Sequence, residues 1–75
     1  MAKRKVVITR LEVERRRKGW TRSELARHAD LNSSTVSGFE NGKLEAYEVQ
    51  LAKLGQALGL PKTRWSSLQE NVLDD

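Results

Sequence analysis

The sequence predicts an all-α domain of five short helices, and three features carry that prediction. β-branched residues run together only at Val6-Val7-Ile8. Thr followed three residues later by Glu marks helix starts, because the hydroxyl and the carboxylate satisfy each other's backbone donors. Single glycines mark the stops, since glycine enters left-handed geometry after a helix at little steric cost.

The first helix starts at Thr9, paired with Glu12 and bracketed by Ile8 and Val13; the second starts at Thr21, paired with Glu24 and bracketed by Trp20 and Leu25. Both combine a capping box with an apolar staple. Asn32 starts the third, with Leu31 and Val36 in the staple positions. Gly19, Gly42 and Gly59 are the stops. The map is Arg10 to Lys18, Arg22 to Ala29, Ser33 to Asn41, about Ala46 to Leu58, and a fifth helix opening near Pro61, a residue suited to a first helical position. The expected organisation is a basic arm (1–8), a helical domain (9–70) and an acidic tail (71–75).

With 75 residues the chain is one domain, at a size where a single core is only just sufficient. It has no cysteine and one histidine, His28, so no disulfide framework, metal site or cofactor is expected. No apolar run approaches membrane-spanning length, and a cytoplasmic location is expected. His28 near a serine cluster lacks an acidic orienter and an oxyanion site, so no enzyme is expected.

Charge is unevenly placed. Residues 1–28 hold ten Lys and Arg against three Glu, a balance of +7, and residues 29–75 have a balance of −3, giving the net +4. Such asymmetry suggests one basic surface facing a polyanion, with nucleic acid the commonest candidate.

Only Asp30-Leu31-Asn32 separates the second and third helices, so they cross steeply, with Ala26 as the small residue at the contact. Leu25, Leu31, Val36 and Phe39 form the apolar underside. The helical period then pushes Ser33, Ser34, Ser37 and Gly38 outward as a flat, polar face that fits a groove.

Lys18 to Ala26, Leu31 to Ser37, Phe39-Glu40-Asn41-Gly42 and Ala57-Leu58-Gly59-Leu60 together resemble the phage repressor and Cro-type (XRE-like) helix-turn-helix family over roughly residues 10–68. The resemblance implies a compact five-helix, lambda-repressor-like domain that binds double-stranded DNA. It implies base reading by Ser33, Ser34, Ser37 and Gly38, phosphate contacts by Thr21, Arg22, Thr35, Asn41 and Lys43, and a partly buried ion pair between Arg15 and Glu40. Three positions depart from the pattern. Asp30 stands where the turn usually has glycine, which Asp tolerates better than most residues. The reading face has no Arg or Gln for bidentate base contacts. Gly55 weakens the fourth helix unless a close contact needs it.

The resemblance also implies a transcriptional regulator, a repressor acting by site occupancy, and a homodimer on two half-sites. The alternatives are an antitoxin with a toxin partner, a controller of a phage or restriction operon, or a protein-interaction module. Residues Arg15 to Lys18 point about 100° apart in succession and cannot share one surface; Arg15 is the inward one. Trp20 and Trp65 are expected in the core or an interface rather than as base-stacking platforms. Contact of Met1 to Lys5 with DNA is a further possibility raised by their charge.

Overall fold

The computed structural model describes residues 6–74. Strand β1 (Val6–Thr9) leads into α1 (Arg10–Arg17), followed by α2 (Arg22–His28), α3 (Ser33–Glu40), α4 (Glu48–Ala57), a 3-10 helix (Lys62–Ser67) and strand β2 (Asn71–Asp74). The first three helix starts fall at the predicted residues, and Gly19, Gly42 and Gly59 take φ of 73°, 80° and 72° just beyond helix ends. The fourth helix is shorter than expected, and the fifth is a single 3-10 segment after Pro61.

The fold is mostly helical but not all-α. β1 pairs antiparallel with β2 in the register Val6↔Asp74, Val7↔Leu73, Ile8↔Val72 and Thr9↔Asn71. The segments expected as arm and tail each contribute a strand. Two further bonds extend the pairing into α1: Arg10 N–H donates to the Glu70 carbonyl at 2.9 Å and Leu11 N–H to the Leu68 carbonyl at 2.8 Å. These are first-turn donors that a helix leaves without partners. The C-terminal segment therefore caps α1 as well as closing the sheet. Met1 to Lys5, and with them the question of a DNA-contacting arm, lie outside the described residues.

One core unites the helices. Leu11, Leu25, Val36, Phe39, Leu54 and Leu68 are its largest fully buried side chains, with Ala26, Ala29 and Leu58 filling between them. Burial of each large apolar side chain contributes about 1.5–3 kcal/mol. Leu68, just past the 3-10 helix, thus ties the C-terminal end of the chain to the helices. Trp65 lies against α4 at Gly55, where any Cβ would collide with the indole, and its Nε1 donates to the Leu60 carbonyl at 3.0 Å. That contact explains the glycine inside α4.

Thr9 and Glu12 form half of the expected box. The Thr9 hydroxyl accepts from Glu12 N–H at 3.3 Å, but the Glu12 carboxylate turns to Arg16 at 2.6 Å instead of back to the cap. Asn32 has the extended backbone of a cap residue without a side-chain cap bond.

Candidate nucleic-acid interface

The turn between α2 and α3 is built on Asp30, which takes φ 56°. The following Leu31 N–H donates to the Ala26 carbonyl at 2.8 Å, closing the end of α2. Ala26 and Ala29 are nearly fully buried, and their size lets α3 cross close to α2. The start of α2 is fixed by a complete capping box. Glu24 N–H donates to the Thr21 hydroxyl at 3.1 Å, and Thr21 N–H donates to Glu24 Oε1 at 2.9 Å. The Thr21 backbone donor, and after it the Thr21 hydroxyl, hold the Glu24 carboxyl below the usual carboxylate range.

The other end of α3 is braced by three charged side chains. Arg15 Nε donates to Glu40 Oε2 at 2.7 Å and its Nη2 to Oε1 at 3.1 Å, a bidentate fork, while its Nη1 donates to the Trp20 carbonyl at 2.9 Å. Arg22 adds Nε to Glu40 Oε1 at 2.9 Å and Nη1 to the Ser37 hydroxyl at 3.0 Å, with Nη2 3.7 Å from Glu12. The Glu40 side chain is fully enclosed, that of Arg15 is 12% exposed and that of Arg22 43% exposed. Arg22 is therefore engaged inside the domain, with only part of its side chain left for a phosphate. Overall charge at the start of α2 gave no sign of this.

The reading positions separate in the structure. Ser33 and Ser34 are exposed on the first turn of α3, and Ser37 is half-buried. Because Arg has no acceptor, the Ser37 oxygen accepts from Arg22 and its own proton stays available to donate. Gly38, expected on the outward face, is buried. A Cβ there would meet Leu44 Cδ1 at 2.5 Å and Cγ at 2.8 Å, so the leucine covers the position. Thr35 is also turned away, roughly 160° around the helix from Ser33 and Ser37, beside Asp30, Leu31, Asn32 and Gln50. Thr21, Asn41 and Lys43 are exposed. Asn41 Oδ1 accepts from Lys43 N–H at 3.1 Å, shaping the turn after α3.

The basic run does not form one surface. Arg17 pairs with Glu14 at 3.4 Å and Arg16 with Glu12, and Lys18 Nζ lies 5.8 Å from the Trp20 ring. Trp20 packs against the core on one side and stacks with the exposed His28 at 4.2 Å.

Two short helices crossing through a tight turn, the second with hydroxyls at its exposed start, have the geometry of a groove-reading pair. The helix-turn-helix domain family matches residues 9–68. The chain belongs to that family. No curated protein matches it. The helix-turn-helix match covers α1 to Leu68 and makes this a DNA-binding type of domain; β2 lies beyond it. Among the described residues no cluster of His, Cys, Asp and Glu could hold a metal ion, and no helix is long and apolar enough to cross a membrane.

Sequence reasoning missed Leu44 and Gln69. The Gln69 amide donates to the Leu44 carbonyl at 2.8 Å and accepts from Ala46 N–H at 2.7 Å, fixing the loop beside α3. A bond between residues more than twenty positions apart leaves no local pattern; the bare Gly38 was the single available signal.

Proposed function

We propose that this helix-turn-helix protein is a sequence-specific, double-stranded DNA-binding transcriptional regulator that represses by occupying its site. The observation that carries the reading is the exposed start of α3 at Ser33 and Ser34, on a helix whose other end is held by the Arg15–Glu40–Arg22 brace, with Thr21, Asn41 and Lys43 also exposed. A short reading helix needs a rigid seat, because its contacts with base edges depend on where the helix stands in the groove. Thr21, Asn41 and Lys43 contact phosphates on either side of the groove and set the register, while the serines touch base edges. Arg22 acts mainly from within, orienting Ser37 as a donor toward base acceptors.

The protein acts as a homodimer, since one short helix reads few base pairs and two half-sites about one helical turn apart restore the needed length. Electrophoretic retardation of duplex DNA at low salt, followed by selection of bound sites from a random duplex library, tests the reading. A selected motif with two-fold symmetry is expected. Absence of retardation at low salt would overturn it and leave a protein-interaction module.

A further inference from the structure

We infer that Leu44, a loop residue outside α3, is a specificity-determining residue that reads a thymine methyl group in the major groove. This rests on the proposed docking of α3 and adds a named contact to it.

Gly38 brings no side chain to α3. Residues four apart on a helix lie one above the other, so a side chain at position 38 would extend the row begun by the exposed Ser34. In its place Leu44 folds back, with Cδ1 and Cγ inside the space a Cβ would occupy. The leucine remains 46% exposed, so it presents apolar surface over Gly38, one helical turn after Ser34. An exposed loop leucine normally loses the ordering entropy of its backbone for little return. Here the backbone is fixed from both sides: Leu44 N–H and Lys43 N–H donate to the Gly38 carbonyl at 3.1 and 3.0 Å, and Gln69 Nε2 donates to the Leu44 carbonyl.

A half-exposed apolar group with a fixed backbone, seated on the helix that bears the serines, matches one feature of the major groove. Thymine alone presents a methyl there, and apolar side chains distinguish it by contact. The serines can donate or accept and discriminate weakly, so the leucine adds a preference they do not supply.

The test is to replace each thymine of a selected site singly by uracil, which removes only the methyl, and to titrate at fixed salt. One substitution should weaken the parent protein about four-fold, equivalent to ~0.8 kcal/mol for one methyl. Leu44→Ala should bind both DNAs alike. Gly38→Ala, whose new Cβ displaces the leucine while leaving it in the sequence, should also lose the distinction. Thermal melts verify that both variants fold. Selective binding by the parent with every uracil tolerated would overturn the Leu44 inference and leave the DNA-binding reading intact. Uracil sensitivity that persists in Leu44→Ala would overturn it too, assigning the methyl to another group. Failure of the parent to bind any duplex would remove both.

Discussion

Arg22 donates to Glu40 and to Ser37 at once, so a single guanidinium links the buried carboxylate to the proposed reading face of α3. Removing it has two separable consequences. The ion pair with Glu40 is more than a third exposed on the arginine side, so its loss should cost only about 0.5–1 kcal/mol. Ser37 loses the donor that orients it, and selectivity at its proposed base contact should relax. Arg22→Ala should therefore alter the preferred sequence in a selection experiment and leave the salt dependence of binding nearly unchanged. A salt slope shallower by about one unit with unchanged preference would instead make Arg22 a phosphate contact.

Arg15 and Glu40 should matter to stability without DNA. Their fork is almost enclosed, and Arg15 also satisfies the Trp20 carbonyl. Glu40→Ala leaves Arg15 with no anion and Arg22 with a vacant side, a change of the kind that costs about 3–5 kcal/mol. In a domain this small each kcal/mol lowers the melting point by about 4–8 °C. A thermal melt should therefore fall by at least about 10 °C; an unchanged melt would remove the brace from the account.

The capping box of α2 predicts a pH dependence. Two hydrogen bonds with Thr21, the backbone one first, lower the folded-state pKa of Glu24. A depressed carboxylate contributes stability that is complete above its unfolded-state value and is lost as pH falls through the folded one. Glu24→Gln keeps an acceptor but cannot titrate. The parent's stability advantage over Glu24→Gln, followed by chemical denaturation from pH 7 down to about pH 3, should shrink toward the acid end. An advantage that stayed constant would mean that the charge has no part in the cap.

Gly55→Ala isolates the role of Trp65. Alanine would raise helix propensity by about 1 kcal/mol on an isolated helix. The indole occupies the Cβ position, and forcing it out adds an overpacking cost of about 1–3 kcal/mol. Net destabilisation is expected, with a red-shifted Trp65 emission in a Trp20→Phe background as the indole leaves Leu60. A more stable variant with unchanged emission would show that the contact is loose.

What was legible in the sequence was local. Thr21 with Glu24, Asp30 in the turn and the glycine stops depend on neighbours within four residues, and each has a chemical reason visible in the string. Thr9 was legible only in part, because Arg16 competes for the Glu12 carboxylate. The sheet was missed because its strands have four residues each and stand at opposite ends of the chain; Val72-Leu73 alone gives no strand signal. At the site, helical period placed Ser33 and Ser34 on the exposed face. It misplaced Gly38, since a residue with no side chain can be covered by a loop that the period does not describe.

Ser33 and Ser34 are exposed, and each hydroxyl can serve as donor or acceptor. Such groups satisfy several base edges and reject few. Ser34→Ala should then weaken specific binding only slightly, less than about 1 kcal/mol, the net worth of an ordinary hydrogen bond. If the protein binds as the proposed dimer, most discrimination should come from groove shape, bridging water and the spacing of the two half-sites, with the inferred Leu44 contact adding the contribution of one methyl. Changing the spacing by about half a turn, or ~5 base pairs, rotates one half-site to the opposite side of the duplex and should nearly abolish specific binding. The measurement is a competition titration at fixed salt with single-base and spacing variants of a selected site. Loss near 3 kcal/mol for one base change under α3, with altered spacing tolerated, would point to a strong direct reader and against dimeric recognition.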